Sequence, residues 1–210
     1  MPLSLRPQNP YSDVLSAASS DANTAVRFKW SHMHPFFTIG HSNRPLEEFL
    51  ALLAEAEVRL VVDVRTVPRS RANPQFNRDA LPASLAPHGI AYQHLAALGG
   101  LRGIQRTVSP ALNAFWDTAS FHNYADYAMS EEFRLGLQTL REWGHGDRVA
   151  VMCAESLWWR CHRRIIADYL IAAGEQVFHI LGAGRIEPAR LTEAARVESS
   201  GMLTYPALAG

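Results

Sequence analysis

Residues 147–166 read DRVAVMCAESLWWRCHRRII, and the interpretation of this stretch decides the fold. Val149 to Met152 form an apolar run between a charged turn and Cys153, the pattern of a short buried strand. Cys161, the second of the chain's two cysteines, follows eight residues after the first and is crowded by Arg160, His162, Arg163 and Arg164. Ile165, Ile166, Tyr169, Leu170 and Ala173 then recur at helical spacing, which puts Cys161 near the first turn of a helix. A strand, a polar loop and a helix start bearing thiols and cations is where α/β proteins commonly build a site.

The same alternation extends outward in both directions. Phe36 to Ile39 predicts a strand that stops at Gly40–His41–Ser42, and Leu46, Phe49, Leu50 and Leu53 give a helical stripe after it. Val58 to Val64 predicts a second strand carrying Asp63, with Arg65 just beyond. The stretch TVPRSRANPQFNRDAL that follows holds Arg69, Arg71 and Arg78 and reads as a long ordered loop. Leu81–Ala86 predicts a short helix and Ile90–His94 a third strand, followed by a loop containing Gly99 and Gly100. Tyr124–Trp143 is the longest helical pattern, with a break expected at Ser130. Val177–Leu181 predicts a fifth strand, Ala189–Arg196 a helix, and Met202–Tyr205 an edge strand. Strands alternating with helices imply an α/β fold: a mainly parallel open sheet of about five strands, with helices on both faces, in three αβα layers.

Composition bounds the function. A chain of 210 residues with 48% hydrophobic content supports one core, expected over residues 35–210. Residues 1–34, rich in Ser, Ala, Asn and Pro without sustained periodicity, are expected to form a flexible arm. A formal net charge of zero argues against a globally basic nucleic-acid binder but leaves room for a local basic patch. No run is apolar enough for a membrane span and no signal-peptide core opens the chain, so the expectation is a cytoplasmic protein with reduced thiols and no membrane partner.

In an open parallel sheet the carboxyl ends of the strands share one edge, where such folds bind ligands. That topology brings together His41 and Ser42, Asp63 and Arg65, His94, and Cys153 with Glu155. Arg65, Arg69, Arg71 and Arg163 are the candidates for holding an anion, because guanidinium binds phosphate or carboxylate through paired donors. Ser42, Asp63 and His94 complete the candidate binding set. Asp63 with Arg65 reads equally as a buried ion pair. Trp158 and Trp159 either cover the core or stack on a base or sugar.

Three chemistries stay open for the thiols. Covalent catalysis would use Cys161 as nucleophile and Cys153 as its partner, with His41, His162 and Glu155 as the remaining catalytic candidates. Redox exchange requires Cys153 and Cys161 to approach bonding distance. Metal binding fits poorly, because the spacing is no standard zinc pattern, so neither metal nor cofactor is expected. The cysteine-to-arginine spacing of phosphatase and rhodanese loops would put the arginine at Trp159, and Arg160 misses it by one residue.

Thr38–Ile39–Gly40–His41–Ser42, Asp63–Val64–Arg65, Pro68–Arg69–Ser70–Arg71, Leu98–Gly99–Gly100, Cys153–Ala154–Glu155, Cys161–His162–Arg163 and Leu203–Thr204–Tyr205–Pro206 occur in this order. Together they resemble the domain of unknown function 488 family of bacterial and archaeal α/β proteins, over roughly residues 36–205. The resemblance implies an α/β fold and suggests an enzyme built on the two cysteines, with no reaction attached. The resulting expectation is an enzyme with a thiol-containing, arginine-lined pocket for an anionic substrate, phosphorylated or derived from nucleic acid. The alternative is a non-catalytic nucleotide or nucleic-acid binding module using the same arginines with Trp158 and Trp159.

Overall fold

A computed structural model describes residues 34–208. The arm expected over residues 1–34 lies outside the described residues, His34 excepted. Short runs of branched and aromatic residues form strands because both their faces are covered: β1 (Phe36–Gly40), β2 (Leu60–Asp63) and β4 (Val149–Cys153) are buried at every position. With β3 (Ala91–His94), β5 (Val177–Gly182) and β6 (Arg185–Pro188) they make a six-stranded sheet in the order β3-β2-β4-β1-β5-β6. Neighbours pair in parallel except β6, which returns antiparallel against β5.

Alternation along the strands sorts residues between two layers. Phe36, Val62, Val149, Val151 and Cys153 join one apolar cluster, filled from its helical side by α3 (Ala119–Tyr127), α4 (Glu131–Gly146) and α5 (Arg163–Ala172). Phe37, Ile39, Val61, Ala150 and Met152 join the other, under α1 (Leu46–Glu55) and α2 (Leu81–Leu85). The three-layer α/β architecture expected from the sequence is the one observed, with a sixth strand added.

The break between α3 and α4 falls where expected, with the Ser130 side chain accepting from the Phe133 amide. The helix expected over Ala189–Arg196 is absent. This stretch is extended and turned, and leads into a small ribbon of β7 (Arg196–Val197) and β8 (Leu203–Thr204). The reason is tertiary: the Thr192 amide donates to Asp168 Oδ1 at 2.9 Å, and Arg164 donates to the Thr192 hydroxyl at 3.0 Å. Those bonds tie the backbone to α5 where a helix would turn it inward.

Candidate active site

The β1–β4 pairing runs past the strand ends: the His41 amide donates to the Cys153 carbonyl at 3.0 Å and the Ser42 amide to Ala154 at 2.9 Å. The chain after Cys153 then folds back over Gly40. A Cβ on Gly40 would sit 1.9 Å from the Glu155 carbonyl oxygen, so only glycine admits this crossing. The loop passes through one 3-10 turn at Trp158–Arg160 and delivers Cys161 just before α5.

The crossing brings the two sulfurs together. Cys153 Sγ and Cys161 Sγ lie 2.8 Å apart, unbonded, against about 2.05 Å for a disulfide. Beneath them lies Arg163, the first residue of α5, whose side chain is only 1% exposed. Its Nε points at Cys153 Sγ at 3.0 Å and Cys161 Sγ at 3.4 Å, and Nη1 reaches the Thr38 hydroxyl at 3.4 Å. Nη2 donates to the Glu155 carbonyl at 2.5 Å. Among the described residues no carboxylate forms a salt bridge with this guanidinium. A buried cation requires an opposite charge close by, and the thiols are the acidic groups within reach.

Burial alone would raise both thiols. At Cys161 it is outweighed by the hydrogen bond from Cys153, the adjoining His162 and Arg163, which together hold this thiol well below its ordinary range. Cys153, raised by burial and by the bond to Cys161, keeps its proton. The Glu155 amide, at 3.3 Å, and Arg163 Nε polarise the Cys153 sulfur and make its S–H a better donor toward Cys161. The sequence crowds its cations around Cys161, yet the Arg163 guanidinium lies nearer to Cys153 than to Cys161.

His162 flanks the pair. Its Nε2 contacts the Val64 carbonyl at 3.1 Å, and because a carbonyl only accepts, that nitrogen carries the hydrogen. Nδ1 is left facing Cys161 Sγ at 3.5 Å, able to take a proton from the thiol or return one. The ring lies against Gly100, where a Cβ would meet Nδ1 at 2.4 Å, and beside the buried Tyr124 ring at a centroid distance of 5.0 Å. The Tyr124 hydroxyl donates to the Leu98 carbonyl at 2.8 Å and so fixes the glycine turn that frames the imidazole.

The other strand-end groups share the edge but not the face. Val61, Asp63 and His41 point toward α1 and α2, the side opposite the thiols, by the same alternation that sorts the core. Asp63 is fully buried and accepts from Arg65 Nε at 2.9 Å, Arg65 Nη2 at 2.6 Å and the Tyr92 hydroxyl at 2.7 Å. Arg65 also donates to the Phe76 carbonyl at 2.6 Å and to His41 Nε2 at 3.0 Å. His41 stacks on Phe76, gives its Nδ1 hydrogen to the Ser42 carbonyl, and is pushed by burial down to about 4. Both His41 nitrogens are therefore engaged, neither of them by a thiol. His41 holds Arg65 in place, and Asp63 with Arg65 forms a buried ion pair.

The remaining candidates divide by position. A cleft of about 410 Å³ opens over the thiols; Arg65, Arg69, Glu155, Arg160 and His162 line it with both cysteines. Arg69 and Arg160 are the exposed cations there. Arg71 is exposed and does not line the cleft. Ser42 sits outside it, with positive φ (49°) and its hydroxyl on Asn43. His94 braces the Arg65 carbonyl at 2.8 Å. The Glu155 carboxylate caps the Leu157 amide at 3.2 Å, so this residue reaches the thiols through its backbone. Trp158 stacks on His179 at 4.2 Å, which covers one face of its ring, while Trp159 is 46% exposed.

Sequence reasoning did not find Thr38, Arg160, Ser70, Ser120 or Phe121 as site residues, although the last four line the cleft. A threonine interrupting the apolar run of β1 was the readable signal for Thr38. Its hydroxyl accepts from Arg163 and shares a hydrogen bond with His179 Nδ1 at 2.7 Å, and burial holds that imidazole neutral, down to about 3.

Fold and site define an α/β protein with a two-thiol centre over a buried arginine at the carboxyl edge of a parallel sheet. The family model described as "Domain of unknown function DUF488" matches residues 45–170, and the chain belongs to that family. The match holds β2, both cysteines, His162 and Arg163; β1 and the closing Leu203–Pro206 lie outside it. No curated protein and no solved structure matches the chain. Among the described residues no group of three or more His, Cys, Asp or Glu is placed to hold a metal ion, and no helix is long and apolar enough to cross a membrane.

Proposed function

We propose that the chain is an enzyme in which the Cys161 thiolate is the nucleophile, acting on an anionic substrate held in the cleft by Arg69 and Arg160. The observation that carries this reading is the buried Arg163, whose Nε lies 3.0 and 3.4 Å from the two sulfurs and whose charge no carboxylate balances among the described residues. A cation so placed stabilises thiolate over thiol, and thiolate is the reactive form. His162 Nδ1 handles the proton, and Cys153 supports the charge on its neighbour through its S–H. Arg163 sits beneath the sulfurs and supports the thiolate, so the substrate's charge falls to the rim arginines rather than to Arg163 or the engaged Arg65.

Iodoacetamide labelling of the reduced, folded protein, followed by mass spectrometry of the peptides over time, tests the assignment. Cys161 is expected to react before Cys153 near neutral pH, and sulfate or phosphate in the cleft is expected to slow the reaction in the parent but not in the Arg69→Gln, Arg160→Gln double variant. Faster labelling of Cys153, or of neither thiol, would overturn the nucleophile. The nucleic-acid module finds less support, since His179 covers one face of Trp158. Salt-dependent nucleic-acid binding that survives loss of both cysteines would favour it over the enzyme.

A further inference from the structure

The thiolate reading leaves the second thiol without a reaction of its own, and the geometry assigns one. We infer that Cys153 and Cys161 are a reversible dithiol–disulfide couple that exchanges with a small disulfide bearing carboxylates, and that Arg163 makes the couple a strong oxidant. This inference rests on the thiolate reading of the same site.

Three observations carry it. The sulfurs already lie 2.8 Å apart, so closing a bond requires a small movement of a loop that has no helix or strand of its own beyond one 3-10 turn. Both cysteines line the same cleft, so a mixed disulfide formed on Cys161 stands within reach of Cys153. Among the described residues Arg163 is balanced only while one sulfur is ionised: its remaining partners there are the Thr38 hydroxyl and the carbonyls of Glu155 and Ser156, all neutral.

The exchange balances as follows. The Cys161 thiolate attacks one sulfur of the external disulfide, forming a mixed disulfide and expelling the other half as thiolate. Cys153 gives up its proton, with His162 Nδ1 as the nearby acceptor beside Cys161, and attacks the Cys161 sulfur. The internal disulfide forms and the second half leaves as a thiol once it takes that proton. The protein has lost two electrons and the external disulfide has gained them; the reverse sequence oxidises two external thiols.

In the disulfide neither sulfur carries charge, so the buried guanidinium loses its counter-charge. The reduced state is favoured to that extent, which raises the reduction potential, the same logic by which a stabilised reduced form makes an oxidant. Because Arg163 balances the thiolate and the Cys161 proton passes through His162 to solvent instead of staying on it, reduction yields one thiolate and one thiol and takes up one proton for two electrons. Arg69 and Arg160 at the rim suit an acidic thiol compound.

Equilibration of the whole protein in glutathione buffers of graded ratio, followed by acid quenching, alkylation and mass spectrometry, reads the couple. The expected product is an internal Cys153–Cys161 disulfide. With the buffer's own protonation corrected, its potential is expected to shift by about 30 mV per tenfold change in proton concentration around neutrality, against about 59 mV for a two-proton couple. Arg163→Met is expected to lower the potential and steepen the dependence toward the two-proton value; if that variant does not fold, the slope of the parent decides. A two-proton slope in the parent would overturn the retained thiolate and the role of Arg163 as the source of the oxidising potential, and no internal disulfide at any ratio would overturn the couple. No disulfide with Cys161 still the first thiol alkylated removes the couple and leaves the nucleophile standing, whereas no alkylation of Cys161 in the reduced protein removes both.

Discussion

At the scale of single residues, the site depends on what is missing as much as on what is present. Gly100 leaves room for the His162 ring, and a methyl there would overlap Nδ1. Gly100→Ala is therefore expected to displace the imidazole and slow Cys161 alkylation severalfold while the melting temperature changes little; an unchanged labelling rate would show that His162 does not act on the thiol. Gly40→Ala meets backbone rather than a movable side chain, and is expected to destabilise the fold by at least the ~1–3 kcal/mol of an overpacked core, read by denaturant unfolding. The two cysteines and the cations around them were legible, because no other stretch concentrates thiols and guanidinium groups. The burial of Arg163 was not: beside Arg160 and Arg164 at a helix start it read as a cation available to hold an anion. What distinguishes it is that the start of α5 lays it under the sulfurs, a matter of three dimensions.

At the scale of elements, topology was more legible than facing. The alternation of strands and helices identified the parallel sheet and put the right strand ends on one edge. It did not say that the ends of β1 and β2 direct His41 and Asp63 to one side while Cys153 faces the other, since a shift of one residue reverses the face. β6 was missed because Arg185–Pro188 is short and mostly exposed, with little apolar signal. The expected helix at Ala189–Arg196 was overridden by Asp168, which accepts from the Thr192 amide and from the Tyr205 hydroxyl at 3.1 Å. Asp168→Ala leaves both donors buried and unpaired, and is expected to cost about 2–3 kcal/mol. Hydrogen exchange should rise selectively over residues 189–205; protection there equal to the parent's would show that the segment is held by its apolar contacts alone.

At the scale of the whole molecule, buried ionisable groups set the response to acid. His41 and His179 are held neutral, at about 4 and about 3, below the ordinary ~6.5 of an unfolded histidine. The unfolded chain therefore binds more protons as pH falls below ~6.5, and stability that is complete above that value is lost on acidification, by about 2 kcal/mol per histidine at pH 5. Asp168 opposes this: burial raises it to about 6, so its penalty is relieved as pH falls from ~6 toward ~4, by about 1 kcal/mol at pH 5. The net expectation is a lower melting temperature at pH 5 than at pH 7, with a smaller drop in His179→Gln; no acid sensitivity would mean that the histidines are solvated. The same pH range holds the most direct test of the central claim, that Arg163 and its neighbours keep one sulfur of the pair ionised. Titration of the ultraviolet thiolate absorbance of the reduced protein should show one thiolate persisting well below the ~8.5 of a free cysteine, absent in Cys161→Ser and moved upward in Arg163→Met. Absorbance that appears only at or above that ordinary range, in the parent as in the variants, would contradict it.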